Sequence, residues 1–154
     1  MHIQNVMIVG FLLVMGGVSI SFNSASASED TRELVELPPM MQEHMLGNMR
    51  DHLVALDEIL GELADGNIDE AGAIAEKRLG MSSLSLHGAE HLGKFMPEAM
   101  GVIGTQMHHA ASRFVISAQD AELNPGKTSQ RKVYRALQEI TENCNACHQA
   151  YRIR

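Results

Sequence analysis

Tryptophan is absent, and aromatic residues make up only 4% of the 154-residue chain. Strands of sandwiches and barrels draw heavily on aromatic and β-branched residues, so an all-β fold is not expected. There are two cysteines, Cys144 and Cys147. That number excludes a disulfide framework and a four-cysteine zinc site. No Lys, Arg, Asp or Glu precedes Ser28, so the whole formal net charge of −7 belongs to the part of the chain that follows. An acidic domain is not built for nucleic acid. The sequence has no nucleophile elbow, no glycine-rich phosphate loop and no H-E-x-x-H helix, and no enzymatic activity is expected. Internal repeats are lacking too.

What is there begins with an apolar run, Met7 to Ile20, broken only by Gly10, Gly16, Gly17 and Ser19. A small-residue run, Ser21 to Ser28, follows it, interrupted by Phe22 and Asn23. Within it, Ala25-Ser26-Ala27 fits an A-x-A cleavage site. Residues 1–27 are therefore expected to be a signal peptide, removed on export, although the segment opens with His2 and has no basic residue. The apolar run is short for a membrane span, so no stable membrane insertion is expected after cleavage. Residues 28–37 are polar and acidic and read as a short N-terminal lead-in.

From Pro38 onward the apolar spacing is helical. Pro38-Pro39 marks a helix start, and Met41, Met45, Met49, Leu53, Leu56, Leu60 and Leu63 follow at steps of three and four. Asp65-Gly66 ends that helix. Asn67 and Glu70 suggest a capping box for a second helix, with Ile68, Ala71, Ala75, Leu79, Ser82 and Leu86 on one face. Gly88 and Gly93 flag a loop from His87 to Met96, and Pro97 opens a third helix carrying Met100, Ile103, Met107, Ala110, Phe114, Ala118 and Ala121. Asn124-Pro125-Gly126 breaks the chain. Thr128 or Ser129 is expected to cap a fourth helix with Val133, Leu137, Ile140, Cys144, Cys147, His148 and Tyr151 on its stripe. The fold class expected is all-α, an antiparallel four-helix bundle.

Near the end of that helix stands Cys144-Asn145-Ala146-Cys147-His148, which is C-x-x-C-H, the attachment sequence for c-type haem. Each thiol adds across one vinyl group of the porphyrin to form a thioether, and the adjacent histidine offers a ring nitrogen to the iron. On a helix, positions 144, 147 and 148 share one side, and three fixed points clamp one planar cofactor. A zinc site would need further ligands at suitable spacing, and a dithiol redox pair would need a strand leading in. The cofactor expected is one covalent haem c, held by Cys144 and Cys147, with His148 as proximal iron ligand. Export fits this chemistry, because bacterial c-type haem is attached outside the cytoplasm, and the location expected is periplasmic.

With these residues in view, the chain resembles the class II c-type cytochromes, the cytochrome c′ family including its low-spin relatives. The resemblance rests on Cys144-Asn145-Ala146-Cys147-His148-Gln149-Ala150-Tyr151-Arg152 and on Met45-Leu46-Gly47-Asn48-Met49, similar to the family's M-x-x-N-M run. It covers residues 38–154, which it identifies as a cytochrome c′-like four-helix bundle. It implies either a five-coordinate iron open to small gases or a six-coordinate iron with a first-helix methionine. In this register the family's distal position falls on Gln42, a departure, and the basic residue one turn earlier is replaced by Pro38. Met41 and Met45 flank Gln42, and one of the two is the candidate distal iron ligand. A homodimer through the first two helices is also what the resemblance implies.

Three functions follow as expectations. The first is periplasmic transfer of single electrons between redox protein partners. The alternative is binding of nitric oxide or carbon monoxide at an open distal haem face, for sensing or detoxification. The third is a copper-binding bundle that uses the eleven methionines and eight histidines, which would leave C-x-x-C-H unexplained. Among the histidines, His44 reads as solvated, His52 as flanking the core stripe, and His108 or His109 as able to face the pocket. Tyr151 reads as core, and Arg152 as a partner for a haem propionate or as solvated.

Overall fold

Proline begins two of the long helices, as its fixed φ and missing N–H allow. In the computed structural model, which describes residues 29–154, helix α1 spans Pro39–Asp65 with Pro38 as its N-cap. It stops at Gly66, whose φ of 84° is the left-handed conformation that favours glycine. Helix α2 spans Ile68–Leu79. Its N-cap Asn67 does not cap through its side chain; Nδ2 donates instead to the Glu62 carboxylate at 2.8 Å. The expected capping box is therefore not formed. The short helix α3, Ala89–Leu92, lies in the connection that follows. Helix α4 spans Glu98–Leu123 behind Pro97, and α5 spans Lys127–Ala150 behind Gly126. The Ser129 hydroxyl donates to the carbonyls of Asn124 and Gly126, at 2.7 and 2.9 Å, tying down the turn before α5. The described helical unit is Thr31–Arg154. The expected signal peptide, residues 1–27, lies outside the described residues.

The chain is mostly helical, and α1 packs on α2, α2 on α4 and α4 on α5. Small residues permit the middle contact. Ala71, Gly72 and Ala75 of α2 are buried, as are Ala110, Ala111, Ala118 and Ala121 of α4. A Cβ at Gly72 would stand 3.2 Å from the Cβ of Ala118, too close to be accepted without a shift of the helices. Phe114, Ile59, Leu79, Val133 and Ile140 fill the rest of this core. No helix among the described residues is long and apolar enough to cross a membrane.

Three expectations need correction. Residues 28–37 are more than a lead-in: Glu33–Val35 form strand β1, paired in parallel with strand β2, Tyr151–Ile153, in the register Glu33 to Tyr151 and Val35 to Ile153. Val35 and Leu37 are buried. Tyr151 consequently lies in a strand and not on the last turn of a helix. The second helix ends at Leu79, and Leu86 is exposed.

The α1 stripe is also rotated from its expected position. Its buried residues are Met45, His52, Ala55 and Ile59, while Leu53 and Leu60 are 67% and 53% exposed. Successive steps of four overshoot one turn by about 40° each, so the run from Met41 to Leu53 winds about 120° off its starting face. Ile59→Ala is expected to lower stability by about 2–5 kcal/mol, and Leu60→Ala to change it by no more than about 0.5 kcal/mol. Urea unfolding followed by circular dichroism measures both. A larger loss for Leu60→Ala than for Ile59→Ala would mean that the stripe lies where the sequence spacing alone puts it.

Candidate functional site

The parallel pairing of β1 and β2 brings the beginning of α1 to the end of α5, because β1 leads into α1 and β2 continues α5. Backbone bonds extend the tie: Leu37 N–H donates to the Arg154 carbonyl at 3.2 Å and Arg154 N–H to the Val35 carbonyl at 3.3 Å. Arg32 Nη1 donates to the His148 carbonyl at 3.2 Å, and Arg152 Nε to the Arg32 carbonyl at 3.4 Å.

At this end of the molecule a second apolar cluster forms, separate from the main core. Val35, Leu37, Met45, Leu92 and Met100 are its buried members, and Met41, Met49, Met96, Cys147, Tyr151 and Ile153 pack against them. Five methionines thus share one cluster with Cys147. Cys144, one turn earlier on α5, packs against the main core instead. Both cysteines are free thiols and half-buried. Burial raises both above the ordinary thiol pKa, which keeps them protonated at neutral pH.

Of the candidate distal ligands and their neighbour, Met45 is buried, Met41 and Gln42 are half-buried, and both methionines belong to the Cys147 cluster. His148 does not join Cys147 there. It is exposed, because neighbouring residues on a helix point about 100° apart and cannot face the same contact. Tyr151 was expected on the stripe of Cys147; Val35, Leu37, Leu92, Met96 and Ile153 carried no periodic signal and were not expected.

Three histidines treated separately in the sequence come together. The ring centroids of His52 on α1 and His87 in the connection lie 4.7 Å apart, nearly edge to face. His108 on α4 lies 6.0 Å from His52 and 5.4 Å from His87. His52 and His108 are buried. Among the described residues, no group of three or more His, Cys, Asp or Glu side chains is spaced to hold a metal ion; Nδ1 of His87 and Nδ1 of His108 each lie 3.5 Å from the Ser83 hydroxyl. His44 is not simply solvated, since its Nε2 donates to the His87 carbonyl at 2.9 Å. Asn48 Nδ2 donates to the same oxygen at 2.9 Å.

No family model matches the chain, and no curated protein or solved structure matches it either.

In the haem-free chain, half-burial and the raised pKa of both sulfurs predict slow alkylation. Iodoacetamide labelling at about pH 8 is expected to be at least about tenfold slower for the folded chain than in urea. Equal rates in mass spectra of the two samples would mean that Cys144 and Cys147 are not packed as described.

Proposed function

We propose that the chain is an exported haem c protein that carries single electrons, with helices α1, α2, α4 and α5 forming an antiparallel four-helix bundle. The observation that carries this reading is the C-x-x-C-H motif at the end of α5, with Cys147 seated in a methionine-rich cluster. The residues present suit the group. Two unpaired thiols lie one helical turn apart for the two thioether links. His148, adjacent and exposed, can take up an iron ligand without leaving a core contact. Met45 and Met41 offer soft thioethers from α1, of which Met45, buried beside Cys147, is the stronger candidate. When bound, haem c supplies a one-electron iron couple whose potential depends on axial ligand and burial.

The chain's own part is positional. The β1–β2 pairing holds the α1 methionines at the level of Cys147. The apolar side chains of Val35, Leu37, Leu92 and Met100 exclude water from that end, which favours the less charged reduced state. Helix α1 packs closely on α2 and not comparably on α5, so the planar group is assigned to the α1–α5 side of the Cys147 cluster. The acidic net charge of −7 suits redox partners with basic surfaces.

Protein made in a host that matures c-type cytochromes is expected to keep its colour through acid-acetone extraction. Cys144→Ala leaves at most one thioether. Pigment that extracts completely, or never forms, ends the haem reading. The oxidised protein is expected to show a weak sulfur-to-iron band in the near infrared that Met45→Leu removes and Met41→Leu retains. A spectrum that is high-spin in both oxidation states would instead favour an open distal face and gas binding. Because covalent haem would add contacts between α1 and α5, the haem-free chain is expected to melt lower and less cooperatively than the haem-bound chain. Calorimetry of the two forms checks this, and coincident transitions would contradict it.

A further inference from the structure

The connection from Gly80 to Met96 touches both clusters described above. At one point it places His87 between His52 of α1 and His108 of α4. Further on it delivers Leu92 and Met96 to the cluster around Cys147. We propose that this connection is a proton-operated latch: neutral imidazoles dock His87 on α1 and α4, and protonation of the His52, His87 and His108 cluster releases the segment and uncovers the apolar side chains beside Cys147.

The docking site is built. His44, Asn48 and His52 follow one another at intervals of four on α1, so they form a row along one face of the helix. The first two donate to the His87 carbonyl at 2.9 Å each, and the third packs its ring against the His87 ring. Gly88 makes this approach feasible. Its φ is 62°, and a Cβ there would come 2.9 Å from His44 Nε2. Only glycine turns the chain at that point without strain.

Upstream, the connection has further anchors besides the contacts of Ser83 with His87 and His108. Ser82 N–H donates to the Glu76 carboxylate at 3.2 Å. Met81 N–H donates to Ser112 Oγ at 3.0 Å, and Ser112 donates onward to Glu76 at 2.6 Å. The stretch free to swing is therefore His87 to Met96.

The surroundings oppose charge on the three rings. His52 faces His87, His108, Asp51 and, from α2, Arg78. His87 faces His108, Asp51 and His44. His108 faces His109 and the backbone of Leu79 and Gly80, with its Nδ1–H donating to the Leu79 carbonyl at 2.8 Å. Asp51 would favour charged imidazoles, but its carboxylate is ion-paired with Arg78. Nε2 of His52 is buried without a hydrogen-bond partner, so nothing present would accept the proton of a charged ring.

Burial, first, and the neighbouring rings lower the pKa of His52 to about 4, and burial also lowers those of His87 and His108. A docked cluster thus binds fewer protons than a released one, whose histidines titrate near 6.5. Docking is strongest above about pH 6.5 and weakens as pH falls toward about 4.

Control of access to an iron at this end rests on the haem reading; the latch itself does not. It is tested by hydrogen exchange of the full chain, read by mass spectrometry as protection factors at about pH 7 and about pH 4.5. Peptides covering residues 84–95 are expected to lose at least about tenfold in protection at the lower pH, while those in α5 between Val133 and Ile140 keep theirs. Peroxide oxidation of Met100, whose thioether does not titrate, is expected to quicken in parallel as its cover lifts. In His87→Gln, which keeps the carbonyl clasp and removes the central ring, the acid response is expected to shrink severalfold. If that variant is already unprotected at neutral pH, His52→Gln is judged by the same criterion. Unchanged protection in residues 84–95, an equal loss in every helix, or a full acid response in a docked variant overturns the latch. None of these outcomes depends on pigment, so the latch and the haem reading fail separately.

Discussion

The arrangement of this chain depends on one short parallel pairing, Glu33–Val35 with Tyr151–Ile153. A parallel pair cannot be joined by a tight turn and needs a long crossover; here almost the whole described chain lies between the two strands. The pairing brings the start of α1 to the end of α5. Those are the two places where chemically distinctive residues lie: thioethers on one, thiols and a histidine on the other. Two such short strands are weak by themselves. They are held because Val35 and Leu37 are buried in the same cluster as Met45 and Met100, so the ladder and the apolar contact support each other.

That cluster differs in kind from the main core. The main core is closed by Phe114, Ile59 and Val133 and by alanines that let α2 and α4 approach. The cluster at the strand end is made largely of methionine, an unbranched side chain that fills irregular space and repacks at low cost. Packing of that kind is suited to admitting a large planar group where a rigid aromatic core would not be. The proposed haem site therefore draws its support from the compliance of the surroundings as well as from the motif.

The connection between α2 and α4 links this end to the interior. It is built of short pieces, the four-residue helix α3 and two single 3-10 turns, Met81–Ser83 and Gly93–Phe95. It is held by polar contacts with α1, by edge-to-face and tilted packing of three imidazoles and by the buried side chain of Leu92. Hydrogen bonds to the His87 carbonyl satisfy a backbone group that a helix would otherwise satisfy internally. The element that reaches the Cys147 cluster is thus held in part by titratable side chains, whereas the long helices are held by apolar burial.

Local rules made much of the helical outline legible in the sequence: prolines 38, 39 and 97 at helix starts, Gly66 at a helix end, the Asn124-Pro125-Gly126 breaker, and the α4 stripe from Met100 to Ala121. Each depends on backbone stereochemistry or on a period carried by a single segment. The cluster that Cys147 shares with the α1 methionines joins residues that the sequence also singled out, whereas Cys144 packs against the main core. What lay beyond the sequence involved partners distant in the chain. Three residues of strand have no period to display until a second strand pairs with them. The turn of α1 that buries Ile59 and exposes Leu60 was decided by which neighbour the helix met, since both residues are apolar. His148 was left outside the Cys147 contact by helix rotation, and Asn48, read as part of a motif, became a clasp on the His87 carbonyl. His52, His87 and His108 came together because α1, α4 and the connection converge there. Sequence alone determined the helix boundaries that Pro and Gly mark and which residue types could bind or titrate; tertiary packing decided the other helix ends and which residues meet, because contact depends on helix rotation and chain crossing, which no single segment encodes.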